Sequence, residues 1–422
     1  MASAPSAIGP APPEAAGPAH VGVVSFLAAR AAPSGGFWIA LAGGVALARV
    51  AERRGARLGF GASAAAMLET VAIIGPARFG VPLTQALSAP MLGRLHARAV
   101  GFWPQLLACA AVRLLHNAAT TAFFIWVIAG GLDAYAGTYD AIGRRVGLEV
   151  GTADAVALTL AGLLLWAVFA STVQVLVYAR GLRGWDAEAP EGQHRGEDGP
   201  RWWVSVAENA TIPHHSARFD PRAVACASLV TFALLLASTE WFLIAAVSAW
   251  LVAAWLLSKP DPAPLRAGAL FAAVLGAGAL VFALGGGLGL DAALRRALRA
   301  ALLVLTATWL RAAAGASGLR EVSRRALSRL RAIPSSTEAA MVLDSIASEG
   351  RLSAAARSLA ARLGESPKRP RAVLDAVLAW VVRESEAFTP GRASAPLPLS
   401  ARAADRALVA SALVPFLALP LG

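Results

Sequence analysis

Residues 223–257 read AVACASLVTFALLLASTEWFLIAAVSAWLVAAWLL, 35 residues in which Glu240 is the only charged side chain. The run is too long and too apolar for a soluble core helix. Its Ser238-Thr239-Glu240 break divides it into two short spanning helices joined by a tight turn. Working outward, Leu265–Gly285, Leu290–Leu310 and a last run, Ala407–Leu421, extend the pattern toward the C-terminus. On the other side Phe37–Val50, Leu58–Gly75, Val100–Leu115, Ala118–Ala134 and Ala155–Ala179 meet the same ruler, and Val81–Leu92 is a shorter segment broken by Pro82 and Pro90. The expected fold is all-α, a polytopic integral membrane protein of about ten transmembrane helices.

Whole-chain composition agrees: 57% of the 422 residues are hydrophobic and 15% charged, with a mean hydropathy of +0.59. The 38 Lys+Arg against 26 Asp+Glu leave +12, spread between apolar runs rather than gathered in a block that nucleic acid could grip. A lipid bilayer is the expected partner, not nucleic acid. Cys109 and Cys226 each sit inside an apolar run, which excludes a disulfide framework. No Gly-x-x-x-x-Gly-Lys-Ser/Thr loop, His-Glu-x-x-His or nucleophile–base–acid set occurs, so no enzymatic activity is expected of this chain. His194, Glu208, His214 and His215 lack paired ligand spacing, and no metal site is expected.

Four regions follow. Residues 1–36, rich in Ala, Pro and Gly, read as a disordered N-terminal tail. Residues 37–183 form an N-terminal membrane domain of about five or six spans. Residues 184–217 are a polar linker whose Trp202 and Trp203 suit a headgroup interface. Residues 218–422 form a second membrane domain, in which 319–388 is a charged helical insert before the final span.

In that insert Leu319, Val322, Ala326, Leu330 and Ile333 share one face, while Arg320, Arg324, Arg325, Arg329 and Arg331 cover the rest. Pro334 ends this helix, Ser335 and Glu338 offer a capping box for the next, and Leu352, Ala356, Leu359 and Leu363 repeat the spacing. Positive charge beside spans is retained on the cytoplasmic side, which orients the insert. Glu69, Arg113 and His116 are ionisable groups within or at the ends of apolar runs, costly enough in lipid to form a candidate intramembrane polar site. Glu69 needs a partner there, Arg113 or a substrate.

The sequence Phe219-Asp220-Pro221-Arg222 before the first apolar run, the four spans, the arginine-rich helices and a last run preceded by Asp405 together resemble the transmembrane T component of energy-coupling factor (ECF) transporters, the family of the cobalt-transport permeases. The resemblance covers about residues 217–422, half the chain, and Asp220, Pro221 and Arg222 match the family's start motif. Ala356-Arg357-Ser358 and Ala361-Arg362 are the two candidates for its first arginine motif, whose arginine reaches a groove of a paired ATPase. The second motif has only approximate counterparts, Arg383-Glu384-Ser385 and Thr389-Pro390-Gly391-Arg392. The resemblance implies a permease subunit of an ECF-type importer of a vitamin or metal ion, in the inner membrane of a bacterium. ATP would be bound by separate ATP-binding-cassette subunits, with no cofactor held by this chain. The first half would supply the substrate-capturing S component, or a separate S component would join. The alternative is a membrane scaffold or regulator with a T-like fold that has lost its ATPases.

Overall fold

The computed structural model describes residues 11–31, 36–76, 82–185, 218–260, 262–330, 332–346, 349–365, 369–390, 397, 399 and 402–418. Every regular element among them is helical. The polar linker at 184–217 lies almost wholly outside the described residues, as do Gly391 and Arg392.

The chain begins with four closely packed helices, α1 (Pro13–Ala31), α2 (Gly36–Arg54), α3 (Ala56–Ile74) and α4 (Pro82–Ala97). The expected disordered tail is thereby corrected: Pro13–Ala31 is helical, and Val21, Phe26 and Leu27 are buried. Ala and Gly give a weak hydrophobic signal, yet their small size lets helix backbones come together and bury everything between them. An added Cβ on Gly93 of α4 would lie 1.9 Å from the Ala48 carbonyl oxygen of α2, and one on Gly59 would lie 2.4 Å from Ala51 Cβ.

Two expected spans, Val100–Leu115 and Ala118–Ala134, form one continuous rod instead. Helix α5 (Phe102–Phe123) runs directly into a π-helical segment, Phe124–Ala129. The polar His116-Asn117 pair does not interrupt it, since helix backbone bonds are satisfied internally whatever the side chain. A short α6 (Leu132–Arg144) and the 34-residue α7 (Thr152–Trp185) complete the first half.

The long apolar run divides as expected into α8 (Pro221–Ala237) and α9 (Trp241–Ser258), with residues 238–240 between them. Helices α10 (Pro262–Gly285) and α11 (Leu290–Arg329) follow. Gly315, at φ +70°, breaks α11 into a membrane segment and an amphipathic one. The order of ends is consistent: Glu240 meets Arg295 at one end, and Ser258 meets Trp309 toward the other.

The insert comprises α12 (Ser336–Ile346), α13 (Glu349–Glu365) and α14 (Pro370–Ala387). Rather than standing apart, these helices cover α1, α2 and α3. Leu343, Ile346, Leu359, Trp380 and Val381 share one core with Val24, Leu41 and Leu47. Ion pairs seal the edges: Arg57 with Glu338, Arg180 with Asp375 at 2.9 Å, and Arg54 with Glu14 at 2.6 Å. A second core joins α8, α9, α11 and α15 (Ala403–Ser411) around Trp309, whose indole NH donates to Ser258 Oγ at 3.1 Å.

Among the described residues, six helical segments are long and apolar enough to cross a membrane: α3, α5 with its π-helical continuation, α7, α9, α10 and α11. Helix α8 is apolar but shorter. Exposed Leu164, Leu165, Phe169, Phe242, Leu256, Val274 and Val281 give them the outer face of a membrane-embedded protein. The expected ten falls to six for four reasons, of which the shortness of α8 is the first. Helix α2 ends in Glu52, Arg53 and Arg54 and is buried within the protein, and two runs merge in α5. The last run forms only nine helical residues before a short 3-10 turn around Pro415, which has no NH to donate.

The close approach at Gly93 yields a paired prediction. Gly93→Val should lower the unfolding midpoint in detergent by several degrees, because overpacking a tight contact costs about 1–3 kcal/mol or more. Gly278→Ala in α10, where nothing lies within 4 Å of the added Cβ, should be neutral or raise it, since helical Gly is about 0.5–1 kcal/mol worse than Ala.

Candidate functional site

Three separate polar constellations emerge. The first surrounds the start motif. The Asp220 carboxylate accepts from the Arg222 backbone NH at 2.8 Å and caps α8, with Pro221 in the first turn. The Arg222 guanidinium returns to the same carboxylate at 2.7 Å and holds its pKa below the usual range. Asp405, just inside α15, accepts from the backbone NH of Asp220 and from that of Arg402, both at 2.7 Å. The motif thus ties the beginning of α8 to the beginning of α15. Pro221 sits against Gly318 of α11, where an added Cβ would lie 2.7 Å from Pro221 Cγ.

The second constellation joins the two cores along α11. Glu69 in α3 is wholly buried, and its partner is Arg320, not Arg113: the Arg320 Nε donates at 2.7 Å and a terminal nitrogen takes the other oxygen. Nine residues earlier, Arg311 Nε donates to the Ile73 carbonyl at 2.8 Å, in the last turn of α3. Glu321 accepts from Arg324 at 2.7 Å and from Arg325 at 2.5 Å. Arg324 also lies 3.8 Å from Asp344 of α12, whose carboxyl is pushed up to about 6, chiefly by burial. The helix ends at Arg329, short of Pro334, so the expected apolar stripe fails at its far end: Leu330 and Ile333 are about half exposed, at 48% and 52%. Leu327 packs inward instead.

The third constellation lies between α4, α5 and α7. Arg113 donates to Gln174 Oε1 at 2.6 Å, the Cys109 thiol approaches the same oxygen at 3.3 Å, and Gln174 Nε2 donates to Ser88 Oγ at 2.7 Å. His116 is half-buried three residues beyond Arg113. The structure therefore does not assemble Glu69, Arg113 and His116 as one site. Gln174, an amide in the middle of an apolar run, is the sequence signal of this cluster.

The candidate coupling residues lie on α13. Arg357 is exposed, reaching back to the Ser353 carbonyl at 3.4 Å, while Ala356 is buried. Ser358 Oγ accepts from the Trp380 indole NH at 3.1 Å, which fastens α13 to α14. Ala361 and Arg362 are half-buried. Comparison with known proteins finds no match to the chain among family models, curated proteins or solved structures.

Two outcomes follow from the α11 ion pairs. Glu69→Ala should lower stability by about 3–5 kcal/mol, because it removes one partner of a buried, doubly hydrogen-bonded ion pair. The Glu69→Ala/Arg320→Ala double variant should lose much less than the sum of the singles, measured as a double-mutant cycle by chemical unfolding in detergent. Asp344 favours its neutral form in the folded state, so its contribution is fully present below pH 3.8 and is lost as pH rises through about 6. Asp344→Asn should therefore unfold at a higher temperature than wild type at pH 7.5 and at the same temperature near pH 4.

Proposed function

We propose that this chain is the membrane permease subunit of an ECF-type importer in a bacterial cytoplasmic membrane, coupling ATP hydrolysis in separate subunits to uptake of a small solute. The carrying observation is the placement of α12–α14. Their apolar faces are packed on α1–α3, while Arg357 projects from the outer face of α13. A force applied to that outer face reaches the first half through side-chain contact, with no loop to absorb it.

On this reading Arg357 enters a groove on a cytoplasmic ATPase, where charge-assisted hydrogen bonds hold it. ATP-driven closure of the paired ATPases displaces α13, α14 follows through the Trp380–Ser358 bond, and the helices of the first half tilt. Energy is transmitted only to the extent that the ATPases bind the two arrangements differently. The scaffold reading draws on one observation: Arg383, in the approximate second motif, is half-buried beside α13 rather than free on the surface. With Arg392 outside the described residues, the described part of the approximate second motif offers no fully exposed arginine for the family's second anchor.

The readings separate in a pull-down from host membranes in mild detergent. ATP-binding-cassette subunits identified by mass spectrometry should accompany the wild type and fall at least tenfold with Arg357→Glu, whose unfolding midpoint should be unchanged. Recovery of the intact chain without such subunits, under conditions that preserve a control importer, would overturn the importer reading.

A further inference from the structure

Among the described residues, the buried charge of Arg113 has no counter-ion. Arg113 is 5% exposed, and no carboxylate among the described residues lies within ion-pair distance of it. A buried guanidinium held by one neutral amide retains much of its desolvation penalty. Its Nε–H has no acceptor. Two further hydroxyls, those of Ser171 and Tyr178, are buried beside Cys109 and Gln174 without a hydrogen bond of good geometry. Natural interiors leave few such groups, and several in one place call for a missing partner.

The sequence places these groups together. On α7, Ser171, Gln174 and Tyr178 are three and four residues apart and share a face. Cys109 and Arg113, four apart, present α5 to it. Both Cys109 and Tyr178 lie within electrostatic reach of the guanidinium. Gln174 fixes the geometry. Its oxygen accepts from the Arg113 terminal nitrogen and the Cys109 thiol, and its nitrogen is spent on Ser88, so the buried Arg113 Nε–H keeps no hydrogen-bond partner. One turn before Ser88 on α4, Gln85 is also buried with neither amide atom bonded.

We propose that this cluster is a carboxylate-binding site. The charge count selects the class. One guanidinium without a counter-ion is neutralised by one monoanion, whereas a phosphate monoester, at about −1.5 to −2, would leave excess negative charge in a buried site. A carboxylate has two oxygens and about four acceptor positions, which suit the Nε–H edge and the two hydroxyls. As the site of the transported solute it rests on the importer reading and narrows that solute to a carboxylic acid. As a binding site it stands without that reading, and its test uses no ATPase.

The test is thermal unfolding of the purified full chain in detergent with benzoate, its neutral isostere benzamide, decanoate and inorganic phosphate. Benzoate or decanoate should raise the midpoint by several degrees at saturation, and benzamide and phosphate should not. A shift with benzoate assigns the site to a water-soluble acid, and a shift confined to decanoate assigns it to a fatty acid; both support carboxylate recognition. Tyr178→Phe and Ser171→Ala, which keep the packing, should each weaken carboxylate binding about tenfold. Arg113→Gln should abolish the shift yet unfold no earlier than ligand-free wild type, since it removes an unbalanced buried charge. Equal shifts from benzoate and benzamide, a shift with phosphate, no shift with any carboxylate, or an Arg113→Gln variant less stable than the ligand-free wild type would overturn the proposal.

Discussion

A carboxylate with no exposed surface has to find a positive charge, and Glu69 finds Arg320 some 250 residues away in sequence. That requirement sets how the C-terminal part of α11 lies on α3. The break at Gly315 falls between the two arginines that reach α3, with Arg311 on the Ile73 carbonyl before it and Arg320 on Glu69 after it. Gly315 adopts the left-handed conformation open chiefly to glycine, so the bend and the two contacts are one device. The same helix makes this use of arginine twice more. Arg296 donates to the Ala129 carbonyl at 2.6 Å and Arg299 to that of Val127, at the end of the π-helical segment, where carbonyls lack helical partners. Helix α11 is therefore the spine to which both halves attach.

The membrane character and the paired helices α8 and α9 were legible because they rest on local signals, an apolar run and a polar interruption. The fate of α1 was not. Its burial is a property of α2, α3, α12 and α14, none of which is its sequence neighbour apart from α2. Alanine and glycine register weakly on any hydropathy ruler, yet at Gly93 and Gly59 they decide how closely backbones approach. The boundary between the halves was read from composition, whereas the cores divide differently: the insert belongs to the core of the first half.

Among the candidate site residues, Asp220, Pro221 and Arg222 behaved as a cap because capping is local. Their bond to Asp405 is a tertiary fact. Glu69 was rightly marked as needing a partner, but partner choice depends on helix packing that no spacing rule contains. Arg113 shows the converse. It was marked for its charge, while the residues that give it meaning, Ser171, Gln174 and Tyr178, are common in helices and become a site only through a shared face turned toward α5.

The packing of α12–α14 on the first half restricts how any partner can act on this protein. With Leu343, Ile346, Leu359 and Trp380 buried within the chain, a partner cannot dock on the apolar faces without unfolding part of the core. It must read the outer faces, which are charged and weakly adhesive in water; single exposed ion pairs contribute about 0–1 kcal/mol. One arginine desolvated and paired in a partner's pocket would add more to such an association than several surface ion pairs. Arg357 occupies such an outward position, whereas Arg362 is half-buried. Arg351, also exposed on α13, is spent on the Thr389 carbonyl, which leaves Arg357 the arginine of that helix more available to a partner.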